Sequence, residues 1–121
     1  PLPMPGISPD SHEDETIDIP ASLMKGRHKD VFALRVKGDS MIDALVQDGD
    51  LVILQHQNEA SNGTMVAAWL KTEQATTLKR LYLEGNQVRL QPENQAFEPI
   101  YVAARDVLIQ GRVIGVVRSV S

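Results

Sequence analysis

The stretch Val36-Lys37-Gly38-Asp39-Ser40-Met41-Ile42-Asp43 decides how this 121-residue chain is organised. A glycine-led turn delivers one small polar residue, Ser40, into an apolar run. Ser40 and Asp43 fit the S-x-x-[DE] pattern, in which a serine caps a short helix and an acidic side chain caps it in return. A serine at this position lies among backbone N–H groups that have no partner within the helix. Those donors can satisfy the cap, or they can hold an oxyanion.

The composition predicts one globular domain. A chain of 121 residues can bury a core without disulfides, and the absence of cysteine excludes both a disulfide framework and a thiolate metal site. The net charge of −4 argues against this chain alone binding a nucleic-acid backbone, which requires a basic patch. No apolar run is long enough to span a bilayer and no signal peptide is visible, so we expect a cytoplasmic protein.

Residues 1–15 differ from the remainder of the chain. The first seven residues include three prolines, and the following eight are polar and acidic, which is typical of a linker or an exposed loop. We therefore predict a linker over residues 1–15 and a folded domain over residues 16–121.

Short apolar or alternating runs separated by turn signals predict a mainly β fold with little helix. We expect its strands to form a compact coiled or barrel-like sheet. Residues 21–24 predict one helical turn, and Phe32, Trp69 and Phe97 are expected in the core. The predicted strands cover residues 16–19, 31–36, 51–54 and 64–70, a hairpin of 76–83 and 88–90 turning at Glu84-Gly85-Asn86, and two short strands within 107–120 around Gly111 and Gly115.

Lys79 is the second residue that suggests chemistry. Strand alternation puts Lys79 on the same face as Thr77, Leu81 and Leu83. A lysine on such a face can extend its ammonium to water, or it can be buried, where desolvation lowers its pKa from about 10.4. A neutral amine can take a proton from a serine hydroxyl. Ser40 and Lys79 are distant in sequence, so only the fold can bring them together.

Other chemistries have weaker support in the sequence. The histidines show no metal-ligand spacing, and a Ser–His–Asp triad has no supporting pattern. A cation site built from the acidic residues after Ser40 is possible, but a helix cap and a turn explain them better. The residues concerned are His12, His28 and His56, and Asp43, Asp48 and Asp50.

At Ser40 and Lys79 the chain resembles the LexA-type regulators, whose C-terminal domain is a self-cleaving Ser–Lys peptidase. The similarity runs from about residue 16 to residue 119. Its motifs, in chain order, are Leu34-Arg35-Val36, Gly38-Asp39-Ser40-Met41, Asp48-Gly49-Asp50-Leu51, Asn62-Gly63, Leu78-Lys79-Arg80-Leu81, Leu90-Gln91-Pro92-Glu93-Asn94, Phe97-Glu98-Pro99-Ile100 and Gly111-Arg112-Val113-Ile114-Gly115-Val116-Val117-Arg118.

The resemblance implies a role for each site residue. Ser40 would be the nucleophile and Lys79 the general base, with the backbone N–H groups of Asp39 and Ser40 forming the oxyanion hole. No cofactor is implied. The family's substrate is its own chain, which is cut at an Ala-Gly bond in a loop near the start of this domain. Cutting separates the domain from an N-terminal winged helix-turn-helix that binds operator DNA. The RecA filament on single-stranded DNA stimulates the reaction, and DNA damage thereby releases repression in the SOS response.

The resemblance also implies a homodimer formed by the last strand. An apolar terminal strand is a liability when its edge is bare, which favours isologous pairing of two such strands. The residues expected at this interface are Val113, Ile114, Gly115, Val116, Val117 and Arg118.

Two departures from the family pattern leave alternatives open. The chain carries no DNA-binding domain, and it contains no Ala-Gly dipeptide. Leu2-Pro3-Met4-Pro5-Gly6-Ile7 resembles the approach to the cleavage bond, but the chain passes directly to Ser8-Pro9-Asp10. We therefore expect residues 1–15 to hold a remnant of the cleavage loop. The alternatives are a UmuD-type accessory subunit of a mutagenic polymerase and a phage-repressor-like core that only dimerises. A signal-peptidase-like enzyme would need a membrane anchor, which the sequence does not show.

Overall fold

A computed structural model describes residues 30–118. Within this range the chain forms one antiparallel sheet of seven strands and two short 3₁₀ helices, Ile42–Ala44 and Ala104–Asp106. The strands are β1 (Val31–Arg35), β2 (Leu51–His56), β3 (Met65–Leu70), β4 (Ala75–Glu84), β5 (Gln87–Gln91), β6 (Ile100–Ala103) and β7 (Val107–Val117). Their order in the sheet is β1-β2-β7-β3-β4-β5-β6. The prediction of a mainly β fold is confirmed.

The last strand, β7, lies in the middle of the sheet. Strand β2 pairs with it from Leu51 opposite Val117 to His56 opposite Gly111. Strand β3 pairs with the other edge of β7, but only from Val107 opposite Leu70 to Arg112 opposite Val66. The prediction of two short strands here is wrong, because β7 is continuous. Register irregularities opposite β2 and β3 accommodate local distortion without ending the strand.

The predicted hairpin is confirmed in β4 and β5. Glu84 lies opposite Gln87, so Gly85 and Asn86 form a two-residue turn. Gly85 has a φ of 66°, a conformation that glycine adopts without steric cost. Strand β6, which follows the loop of residues 92–99, is not among the predicted strands.

Two apolar clusters form the core. The first contains Val66, Ala68, Leu70, Leu81, Val88, Leu90 and Val107, and the second contains Met41, Val46, Val52, Leu54 and Ala67. Phe32 packs against the second cluster, as predicted. The prediction for Phe97 is wrong: it lies on the loop before β6 and its side chain is 45% exposed. Trp69 is only half-buried.

Several predictions fall outside the described residues. These are the linker over residues 1–15, the strand at 16–19 and the helical turn at 21–24. No helix within residues 30–118 is long and apolar enough to cross a membrane.

Candidate active site

Ser40 lies in the turn that leads from β1 to the first 3₁₀ helix. Gly38 has a φ of 87° and donates its N–H to Asp48 Oδ1 at 2.7 Å, which allows the chain to reverse. Met41, 2% exposed, anchors the turn in the second apolar cluster. The predicted capping box is wrong, because the N-cap residue is Met41 and no side chain caps this helix. The Ser40 hydroxyl is thus available for another partner.

That partner is Lys79 on β4. Lys79 is 8% exposed and pairs with Val66 of β3. Its Nζ donates to Ser40 Oγ at 2.9 Å, although the two residues are 39 positions apart. The sequence allows the Lys79 side chain either to be buried or to extend its ammonium into water, and in the structure it is buried. The sheet and the Ser40 turn therefore bring these two side chains together.

Thr77 is the residue of this site that the sequence reasoning missed. Lys79 Nζ also donates to Thr77 Oγ1, at 2.6 Å. Thr77 precedes Lys79 by two residues on the same strand, so strand alternation puts both side chains on one face. The sequence places Thr77 on this face but assigns it no role, and the structure shows that its hydroxyl reaches the amine. A neutral Lys79 can keep one N–H directed at Thr77 while its lone pair faces the Ser40 hydroxyl.

Burial lowers the pKa of Lys79 below its ordinary value, because desolvation disfavours the charged ammonium. No carboxylate within residues 30–118 forms an ion pair with this amine, so no opposite charge there offsets the desolvation. A larger fraction of Lys79 is therefore uncharged at a given pH than for a lysine in water. This is the protonation state that a general base requires.

The backbone around Ser40 leaves two N–H groups free for a ligand. Within the described residues, the N–H groups of Asp39 and Ser40 donate to no protein acceptor. The Asp39 carbonyl accepts from Ile42 N–H and from Asn94 Nδ2, which fixes the peptide plane between Asp39 and Ser40. In a trans peptide the N–H points opposite the carbonyl, so the Ser40 N–H is directed away from Asn94. Both N–H groups are therefore without a protein acceptor among the described residues.

Two of the three acidic residues after Ser40 have hydrogen-bond partners for their side chains among the described residues. Asp48 accepts from Gly38, as described above, and Asp50 is buried and binds the Arg118 guanidinium with both carboxylate oxygens, each at 2.9 Å. The hydrogen bond from Arg118 lowers the pKa of Asp50. Asp43 is exposed. The predicted turn accounts for Asp48 and an ion pair accounts for Asp50, whereas the predicted helix cap by Asp43 is not formed.

The predicted dimer segment forms the second half of β7 and the residue after it. Val113 pairs with Leu54 of β2, while its other edge has no partner strand among the described residues. Val116 is 41% exposed. Arg118 is directed back onto its own chain, where it binds Asp50 and the Leu45 carbonyl. The segment is therefore covered along one edge and open along the other.

Comparison with known proteins finds similarity to one peptidase family and to repressors named LexA. Residues 5–114 match the Peptidase S24-like family. The LexA repressor of Herpetosiphon aurantiacus is 49% identical over 121 residues, which is 98% of this chain and 55% of that protein. The LexA repressor of Roseiflexus sp. is 53% identical over 106 residues, or 87% of this chain and 49% of that protein. The chain thus spans about half the length of these curated relatives.

Proposed function

The chain belongs to the Peptidase S24-like family, and from that premise we propose that it is the self-cleaving Ser–Lys peptidase and dimerisation part of a LexA-type repressor of the SOS response. The resemblance to LexA-type regulators is confirmed by the relatives quoted above. Those relatives are named repressors, which favours this function over a UmuD-type polymerase subunit.

One observation carries the proposal. Lys79 Nζ lies 2.9 Å from Ser40 Oγ in a buried position, and burial lowers the pKa of the amine. Hydrogen-bond contact between a serine hydroxyl and a desolvated amine is the arrangement that nucleophilic catalysis without histidine requires. A merely structural lysine would be expected to extend its ammonium into water or to pair with a carboxylate.

In the proposed mechanism, neutral Lys79 takes the proton of the Ser40 hydroxyl as Oγ attacks the carbonyl carbon of a peptide bond. The N–H groups of Asp39 and Ser40 stabilise the oxyanion that forms. Protonated Lys79 then gives its proton to the leaving amine, and the C–N bond breaks to leave an ester on Ser40. Water hydrolyses that ester, again with Lys79 as the base.

The proposed substrate is the repressor's own chain. A docked loop reacts intramolecularly, so its effective concentration is high and its rate depends on how often it occupies the site. We propose the RecA filament on single-stranded DNA as the stimulating partner, a second copy of the chain as the dimer partner, and operator DNA as a ligand of an N-terminal domain. The setting of this function is the cytoplasm.

The proposal is tested by labelling Ser40 with a fluorophosphonate and following intact mass. Ser40 Oγ bonds to phosphorus, fluoride leaves and Lys79 accepts the hydroxyl proton. We expect one adduct, with a rate that rises with pH to a plateau whose midpoint lies below the ordinary lysine value of about 10.4. Ser40→Ala should abolish labelling, and Lys79→Arg, which remains charged, should nearly do so. A chain that stays unlabelled would be a dimerisation core without catalysis.

Intact mass also tests whether the chain cuts itself in the absence of an Ala-Gly bond. The sequence contains no Ala-Gly dipeptide, so incubation of the chain alone at pH 7 and pH 10 should leave it uncut. A clean cut between Ile7 and Pro20 would show that a different bond serves as the substrate.

A further inference from the structure

The backbone of Glu93 binds the turn that carries Ser40. The Glu93 N–H donates to the Ser40 carbonyl at 2.8 Å, and the Glu93 carbonyl accepts from the Asp43 N–H, also at 2.8 Å. Pro92 precedes Glu93 and has no N–H, so it cannot continue the ladder of β5, which ends at Gln91. The chain leaves the sheet here, and both backbone groups of Glu93 become available to the turn.

The Glu93 side chain binds the strand that carries Lys79. Its Oε1 accepts from Arg80 Nε at 2.5 Å, and Arg80 directly follows Lys79 on β4. Arg80 Nη1 donates in turn to the Gly63 carbonyl at 2.9 Å, which limits the positions that the guanidinium can take. Glu93 therefore contacts the nucleophile's turn through its backbone and the base's strand through its carboxylate.

Apart from apolar packing, in which Leu78 of β4 packs against the cluster that contains Met41, few other contacts join these two parts of the site. The Ser40 turn is otherwise held by Met41 in the core, by Asp48 and by Asn94, none of which binds β4 through a hydrogen bond among the described residues. The bond between Lys79 and Ser40 itself is the reacting contact and must change during the reaction. The ion pair of Arg80 and Glu93 can persist throughout.

We propose that Glu93 is a positioning residue, whose ion pair with Arg80 sets the distance between the Ser40 hydroxyl and the Lys79 amine. The inference rests on the proposed function, since it assigns Glu93 a role in that same reaction. A displacement of about 1 Å between reacting groups can slow a reaction by on the order of a hundredfold. Both ion-pair side chains are about one-third exposed, so the pair itself adds little to the stability of the fold. Its removal should therefore act on the rate more than on folding.

The test measures the rate of Ser40 phosphonylation in Glu93→Ala, in Arg80→Ala and in the double variant. We expect each single change to lower the plateau rate on the order of tenfold or more. Because the two residues act as one unit, the double variant should be no slower than Arg80→Ala. Glu93→Gln should recover much of the rate, since its amide oxygen can still accept from Arg80.

A matched control exists on the same hairpin. Arg89 and Glu84 also form an ion pair between β4 and β5, at 2.9 Å, but neither residue touches the Ser40 turn. Glu84→Ala should label at the rate of the unaltered chain.

The pH profile separates positioning from loosening of the site. In Glu93→Ala the midpoint should stay within a few tenths of a unit of the unaltered chain, because Lys79 remains buried, and the melting temperature should change little. A midpoint that rises toward the ordinary lysine value, or a labelling rate equal to that of the unaltered chain, overturns the inference while leaving the proposed function intact. An unaltered chain that does not label overturns the proposed function, and the inference with it.

Discussion

At the scale of single residues, burial of the charged form of Lys79 in the site is energetically unfavourable. Its amine is buried and donates hydrogen bonds to the hydroxyl oxygens of Ser40 and Thr77. It forms no ion pair with a carboxylate among the described residues. Hydroxyl groups compensate for lost hydration less well than an opposite charge does. The same feature that prepares the amine as a base therefore works against the stability of the fold.

Replacement of Lys79 by methionine should raise the melting temperature near pH 7. The folded-state pKa of Lys79 is lowered, so below that value the folded chain bears the full cost of the buried charge. As pH rises from the folded pKa toward the unfolded value of about 10.4, the unfolded chain binds more protons and the stability of the unaltered chain increases. The advantage of Lys79→Met should consequently shrink over that window.

Melting curves of both chains at several pH values provide the measurement. Lys71→Met is a suitable control, since Lys71 is exposed and its replacement should shift melting little at any pH. A Lys79→Met chain that melts below the unaltered chain near pH 7 would show that the hydrogen bonds of the amine outweigh its desolvation.

At the scale of elements, β7 connects the two apolar clusters. Val107 belongs to the first cluster and Val113 packs against the second. Gly111 lies between them, where β2 approaches closely. A Cβ atom at this position would lie 2.6 Å from the Gln55 carbonyl oxygen and 2.9 Å from a Phe32 ring carbon. Glycine is required here for close approach of backbone, and not for a turn.

Gly111→Ala should therefore destabilise the fold by about 1–3 kcal/mol, the usual cost of overpacking a core. The clash involves a backbone atom, so side-chain adjustment at Phe32 alone cannot relieve it. Urea denaturation of the two chains gives the difference. Gly85→Asn is the control, because a Cβ at Gly85 meets nothing within 4 Å and asparagine tolerates a positive φ. Equal stability of Gly111→Ala and the unaltered chain would mean that β2 can shift away from β7.

At the scale of the whole molecule, the open edge of β7 is where a second copy can add. Within residues 30–118, β3 alone pairs with β7 from Val107 to Ile109, both neighbours pair with Gly111 and Arg112, and β2 alone pairs with β7 from Val113 to Val117. An unpaired edge presents free N–H and C=O groups to another chain. We propose that the dimer uses the open edge of the second half, from Val113 to Val117, because the resemblance to the family implies an interface there.

Val116→Lys should weaken the proposed dimer by at least tenfold in Kd, because a charge on an edge strand opposes pairing. Sedimentation equilibrium over a range of concentrations measures the change. Leu108→Lys is the matched control: its side chain is similarly exposed, at 45% against 41%, but it lies outside the proposed interface, in the half of β7 that pairs with β3. The unaltered chain remaining monomeric at high concentration, or equal dissociation of both variants, would contradict an interface at this edge.

Local patterns in the sequence were sufficient for β1, β2, β3 and the β4–β5 hairpin. Period-two alternation, β-branched residues and the Gly85 turn act over a few residues, so they can be interpreted without knowing what lies beside them. The glycines of β7 were misinterpreted as interruptions because the neighbour that makes Gly111 necessary, Gln55 on β2, is far away in the chain. Phe97 was misplaced for a related reason, since burial depends on what covers a side chain.

The sequence by itself determined the β-strand content, the presence of a serine in a glycine-led turn and the position of a lysine on a partly apolar strand face. Only the tertiary structure decided that Lys79 Nζ lies 2.9 Å from Ser40 Oγ and that Thr77 also accepts a hydrogen bond from this amine. It also decided that Glu93 contacts both parts of the site and that the last strand lies inside the sheet, between β2 and β3. Backbone conformation follows from short-range sterics and periodicity, whereas contacts between remote segments depend on which apolar faces pack together.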